Sequence, residues 1–133
     1  MKSTQGEYDG CFACGSKNPI GLRLKFDKRG EKAYTEFCAG SEHQGYQGMM
    51  HGGLVTTLID EAMAYCMQFK EIKAVTGKLE LRFRHPVPIG EKLVIGAGVL
   101  EERKKWVRLW GKIEHGDSLL AEGEGLFFKV NKD

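Results

Sequence analysis

The chain has 133 residues, 41% of them hydrophobic and 29% charged, with a formal net charge of +2. That length suits a single domain, 1–133, built on one core, and so small a charge without a basic run excludes a nucleic-acid partner from the expectations. No apolar run approaches the roughly 18 residues of a membrane-spanning helix. The N-terminal MKSTQGEYDG lacks the apolar stretch of a secretory signal, so no membrane partner is expected and the cytoplasm is the expected compartment.

Residues 1–10 read as a flexible lead-in and 11–21 as a turn-rich segment. The latter holds Cys11 and Cys14, while Cys38 and Cys66 stand alone. One C-x-x-C pair falls short of the four ligands of a structural zinc site. Gly15 and Asn18-Pro19 signal a turn after it rather than the helix start that activates a redox thiol. The cysteines are therefore expected as partly buried thiols of a reducing compartment, with no metal; a zinc shared between subunits has no support in the sequence.

Leu22, Leu24 and Phe26 alternate with Arg23 and Lys25, the pattern of a half-buried strand. Asp27-Lys28-Arg29-Gly30 then supplies a hairpin turn, and 32–37 a second strand. Five glycines between Gly40 and Gly53 mark a loop with unusual backbone demands. From Leu54 to Lys70 apolar residues recur at three- and four-residue spacing, widely enough for a helix buried on most sides. Strands follow over Leu79–Arg84, stopped by Pro86 and Pro88, over Leu93–Val99, Trp106–Ile113 and Leu119–Val130. Glu101-Glu102-Arg103-Lys104-Lys105 and Glu114-His115-Gly116-Asp117 separate the last three.

The order β-β-α-β-β-β-β predicts an α+β fold in which a curved antiparallel sheet of about six strands wraps one long buried helix. Such a sheet leaves one face and two edges open, which a homodimer or homotetramer would cover.

The chemistry concentrates at His51-Gly52-Gly53 and the helix that follows. Unpaired N–H groups and the positive end of the dipole make a helix start an anion site, suited to the oxyanion of an attacked carbonyl. Asp60 lies eight residues after Gly52, a little over two turns along. Ile59, Ala62 and Met63 surround it, and a carboxylate in such company needs a partner or a role. The residues alone also permit plainer readings: His51 caps the helix, the glycines allow close packing, and Asp60-Glu61 is a solvated face.

At these positions the chain resembles a family. HGGLVTTLIDEA is similar to the helix start of the PaaI-like acyl-CoA thioesterases of the 4-hydroxybenzoyl-CoA thioesterase superfamily, which have the hotdog fold. CFACGSKNPIGLRLKF resembles the opening of one branch, HQGYQGMMHGG the active-site loop, and TGKLELRFRHPVPIGE the long strand and following turn. The resemblance implies hydrolysis of an acyl-CoA, with coenzyme A part of the substrate and no cofactor. It implies Asp60 as nucleophile or as base activating water, the Gly52 N–H as oxyanion donor beside Gly53, and His51 as organiser of the loop or thioester. Thr76, aligned back from Pro86, would be a hydroxyl supplied by the neighbouring subunit to place the water or carboxylate. Glu61 is the rival carboxylate; about 100° from Asp60 around the helix, it cannot share the same pocket wall.

The chain departs from the pattern at Gly45, where some relatives carry an asparagine; Gln44 beside it is the candidate substitute. Arg82, Arg84, Lys104 and Lys105 are candidates for the CoA phosphates, with exposed strand-face charge as the equal alternative. Tyr46, Met49, Met50, Met63 and Met67 are candidates for an acyl pocket, the two helix methionines serving equally as core. Two other functions fit the fold. An acyl-thioester hydratase or dehydratase usually carries a His-Phe-Pro loop that is missing here. A non-catalytic acyl-CoA-binding module would be expected to lack the helix carboxylate or to carry a DNA-binding extension.

Overall fold

The computed structural model describes residues 9–130; the first eight residues of the expected lead-in lie outside them. Six strands and one long helix follow in the order β1 (Asp27–Arg29), β2 (Lys32–Cys38), α1 (Gly52–Phe69), β3 (Ala74–Phe83), β4 (Lys92–Glu102), β5 (Trp106–His115) and β6 (Ser118–Lys129), with a single 3-10 turn at Ser41–His43 before α1. The strands form one sheet in the order β1-β2-β4-β5-β6-β3, antiparallel throughout.

Helix α1 lies against one face of this sheet. Val55, Leu58, Ile59, Ala62, Met63, Cys66 and Met67 are buried along it. They meet alternate residues of the strands, among them Leu93, Ile95 and Ala97 of β4, Val107, Leu109 and Ile113 of β5, and Ala121 and Phe127 of β6. This is the α+β hotdog arrangement expected from the sequence, with Met63 and Met67 serving as core. Its other sheet face is polar: Arg84 pairs with Glu122, Arg108 with Glu124 at 3.1 Å and with Glu101 at 3.3 Å.

The first strand is displaced from its expected place. Leu22 and Leu24 are buried, as their alternation suggests, but residues 22–26 belong to no strand. Arg23 adopts φ 56°, a left-handed conformation that interrupts an extended chain. The flanking N–H groups bond instead to the opening segment, Leu22 to the Phe12 carbonyl at 2.8 Å and Leu24 to Ala13 at 2.9 Å. The expected hairpin turn is itself the strand β1, and the chain reverses at Gly30-Glu31, between the paired Arg29 and Lys32.

Glycine sets the spacing between helix and sheet. A Cβ at Gly111 of β5 would lie 2.8 Å from Ile59 Cγ2 and 3.1 Å from Met63 Cε. Gly111→Ala is therefore expected to lower unfolding stability by about 1–3 kcal/mol, the usual cost of overpacking; urea denaturation beside the parent protein measures it.

Candidate active site

The loop before α1 is held by its own polar groups. Gly40 N–H donates to His43 Nδ1 at 2.9 Å, and His51 N–H donates to the His43 carbonyl at 2.8 Å. Gln44 is tied to this loop at both ends of its amide: its Oε1 accepts from Gly48 N–H at 2.7 Å and its Nε2 donates to the Ser41 carbonyl at 3.2 Å. The amide expected to substitute for an asparagine thus shapes the turn. Gly48, at φ 79°, takes a conformation that favours glycine. Met50 is buried, while Tyr46 is 82% exposed and Met49 half-buried, bridged to Pro88.

His51 is the N-cap of α1. Its Nδ1 accepts from Gly53 N–H at 2.9 Å, so the plain capping reading describes what this side chain does. The carbonyl of His51 accepts from Leu54 and Val55. Helix geometry leaves the Gly52 N–H without an intrahelical acceptor. Space beside it is open: a Cβ on Gly52 would meet nothing nearer than the Phe83 ring, at 3.8 Å.

Asp60 lies further along the helix with its carboxylate against β3. Thr76 Oγ1 donates to Asp60 Oδ1 at 2.9 Å. Burial pushes the Asp60 carboxyl above its ordinary range, and the Thr76 hydroxyl partly offsets the rise. Hydroxyl and carboxylate thus meet within one chain.

A bulge explains how Thr76 reaches the helix side. Leu79 opposes Gly125 and Thr76 opposes Phe127, but the register shifts between Thr76 and Lys78. Strict alternation from Leu79 would put Thr76 on the outer face, and the extra residue, Gly77, reverses the parity. A Cβ at Gly77 would lie 2.2 Å from the Phe128 ring, so glycine lets that ring lie over the bulge. The missed signal was this glycine inside a strand pattern.

Glu61 turns elsewhere. It accepts a hydrogen bond from the Cys14 thiol, and burial raises its pKa, with a further rise from the Asp60 charge. The two adjacent carboxyls are thus divided between β3 and the opening segment. Arg82 sits on β3 and Arg84 just past its end, six and eight residues beyond Thr76, roughly 20 and 26 Å along an extended chain. They border an open groove of about 700 Å³ with Glu80, Trp110, Lys112, Glu122 and Glu124, on the sheet face away from α1. Within one chain they do not approach Asp60. Lys104 and Lys105 lie exposed in the β4–β5 turn, whose Lys105 carbonyl accepts from Lys129 N–H; Lys129 pairs with Ala74, two residues before Thr76.

Among the described residues no helix is long and apolar enough to cross a membrane. The family model of the thioesterase superfamily matches residues 47–122, more than half of the chain, including the end of the loop, all of α1 and all of β3. Among curated proteins, the chain is similar to bovine acyl-coenzyme A thioesterase THEM4, 29% identical over 126 residues that cover 92% of this chain and 52% of that protein. It is 32% identical to human acyl-coenzyme A thioesterase 13 over 75 residues, 55% of this chain and 54% of that one. The chain thus spans about half the length of these curated relatives. Of solved structures, zebrafish thioesterase superfamily member 2 superimposes with a TM-score of 0.79 at 17% identity, covering 96% of this chain and 99% of that one. The E. coli PaaI protein from the phenylacetic acid degradation operon gives 0.77 at 20% identity, with 83% and 81% covered. With the fold matched along most of the chain, and the family model matched over more than half of it, this protein belongs to the thioesterase superfamily.

Proposed function

We propose that this chain hydrolyses an acyl-CoA thioester to a free acid and coenzyme A. The observation that carries the reading is the Asp60–Thr76 pair, a carboxylate raised by burial and held by one hydroxyl on one oxygen. Its second oxygen is left to take the proton of a water. That water attacks the thioester carbonyl, the oxygen gains charge and accepts the Gly52 N–H, and the CoA thiolate leaves. Asp60 acting directly as nucleophile would use the same contacts through an anhydride, and label found in the protein after a single turnover in ¹⁸O-water would establish that route, since water that opens the anhydride at the Asp60 carbonyl leaves its oxygen there. The reaction needs no cofactor beyond the substrate's own coenzyme A.

A single chain does not bring these groups together. Eight residues of helix separate the Gly52 N–H from Asp60 by about 12 Å, too far for one carbonyl to meet both. Strand β3 is an edge of the sheet and carries exposed Val75 and Phe83. Pairing β3 antiparallel with its copy would cover that edge. It would also reverse the strand, bringing the Phe83–Gly52 end of one copy beside the Thr76–Asp60 end of the other. The reading is therefore a homodimer, or a tetramer of such dimers, with sites shared between subunits. Lys104 and Lys105, at the Thr76 end of the sheet, are the cations we assign to the CoA phosphates.

Thiol release from a panel of aryl-, short- and medium-chain acyl-CoAs tests the activity. Binding without release on every member would instead favour a non-catalytic module, and hydration of an enoyl-CoA the hydratase. Thr76→Val gives a sharper reading. Because the Thr76 donor lowers the Asp60 pKa, its loss raises that pKa further. A base works only when ionised, so the acid limb of kcat/KM moves to higher pH in Thr76→Val, and an unmoved limb would remove Asp60 from the role of base.

A further inference from the structure

Cys11, Cys14 and Glu61 form a second cluster, against the helix face that does not carry the Asp60–Thr76 pair. Their Sγ, Sγ and carboxylate oxygen all lie within 4.8 Å of one another. Two come from a turn and one from α1, so folding itself assembles the group. The turn is tightly built: Cys14 N–H points at Cys11 Sγ at 3.5 Å, and Gly15 N–H donates to the Cys11 carbonyl at 2.8 Å. Gly15 has no room for a side chain, since a Cβ would lie 2.2 Å from the Asp9 carbonyl oxygen. The backbone thus folds around the sulfurs as a two-thiolate chelate requires.

We propose that Cys11, Cys14 and Glu61 bind one zinc(II) ion, clamping the opening turn to α1, with water in the fourth position. Two thiolates select a borderline-soft ion over magnesium or calcium, and the carboxylate completes a set of donors common at zinc. Bonds of about 2.0–2.3 Å to these atoms need only a small contraction of the present cluster. Cys11 is half-buried, so the cluster is open to solvent for that fourth ligand. On binding, each thiol releases its proton to solvent and its sulfur lone pair forms the bond to the ion, with no redox change.

The surroundings fit the proposal. Cys14 is 4% exposed, its thiol donates to Glu61, and the Tyr65 hydroxyl donates to its sulfur. Tyr65 is itself fixed, stacked on Phe26 with ring centroids 4.8 Å apart. When the ion is bound, the same hydroxyl continues to donate to a thiolate, the kind of outer contact that orients a metal ligand. A lone C-x-x-C argued against a metal on the sequence; the third donor, fifty residues from Cys11, was hidden in the suspected catalytic helix.

The experiment is titration of the whole, reduced, chelator-treated protein with cobalt(II), followed by displacement with zinc(II). One equivalent of cobalt should give thiolate-to-metal charge transfer and the intense visible bands of a tetrahedral site, and zinc should abolish both and raise the thermal midpoint. Cys11→Ser should lose the two-thiolate spectrum and the zinc-dependent rise. Tyr65→Phe should keep the spectrum with affinity reduced about 10–100-fold, and Glu61→Gln should lose at least as much. Circular dichroism confirms that each variant is folded, and Cys11, the less buried cysteine, is the variant of choice over Cys14. Absence of charge transfer in the reduced parent, or spectra and affinities unchanged in both Cys11→Ser and Glu61→Gln, overturns the proposal.

Discussion

Asp60→Asn is expected to lower kcat for thioester hydrolysis by about 10²–10⁴-fold, the range of a lost general base, while making the protein no less stable at neutral pH. Asparagine keeps the shape and can still accept from Thr76, so the fold has no reason to change. The stability term has a definite sign. The folded-state carboxyl titrates above its ordinary value because it is buried, so between those two values the native state holds a proton that the unfolded state has released. Stability then falls as pH rises through that window, and the whole penalty is present above it. Asparagine removes the penalty and relieves Glu61, whose own pKa the Asp60 charge raises. The difference in thermal midpoint between variant and parent should therefore grow from acid to neutral pH. Hydrolysis that survives in Asp60→Asn would remove this residue from the chemistry. A variant that is both inactive and destabilised at neutral pH would mark it as a structural carboxylate instead. Function held at a cost in stability is the expected signature of a working site.

Much of this arrangement is legible in the residues. The three- and four-residue recurrence of apolar side chains from Leu54 onward can only be satisfied by burying most of a helix, and α1 buries Leu58, Ile59, Ala62 and Met63 completely. Alternation is plainest in β5, whose residues are buried and half-buried in turn; in β4 it is masked where Gly96 and Gly98 lie under the Tyr34 and Trp110 rings. Where sequence misleads, a backbone conformation intervenes that side-chain pattern does not encode. Leu22 and Leu24 alternate because both are buried, yet Arg23 breaks the chain's extension. Thr76 lies on the face opposite to the one its spacing from Leu79 predicts, because Gly77 adds a residue. Capping by His51 is among the readings its place before the helix permits, whereas Gln44 looks free for a substrate on paper and instead bonds the loop's own Gly48 N–H and Ser41 carbonyl. Glu61 could be told from Asp60 by helical angle, but its cysteine partners lie fifty and forty-seven residues away, beyond any local pattern.

Gly52→Pro is expected to reduce kcat by about 10²–10³-fold, the cost of one lost oxyanion donor, with the fold intact. Proline is suited to this position. Gly52 is the first residue of α1, where the N–H has no intrahelical acceptor and proline is favoured. His51 before it has φ −59° and ψ 133°, within the region a residue preceding proline adopts, and a Cβ on Gly52 would make only ordinary contact with the Phe83 ring, at 3.8 Å. The substitution thus deletes a single N–H and little else. Combined with Asp60→Asn it tests the sharing of sites between chains. If the Gly52 donor and the Asp60 carboxylate that serve one substrate come from different subunits, a mixed dimer of the two variants has one site with both defects and one with neither. Refolding the two inactive proteins together at equal amounts should then recover about a quarter of parental activity, since half the dimers are mixed and each has one sound site. If both groups came from the same chain, every site in every dimer would carry one defect, and the mixture would stay as inactive as its components. The twelve ångströms or so of helix between these residues make recovery the expected result.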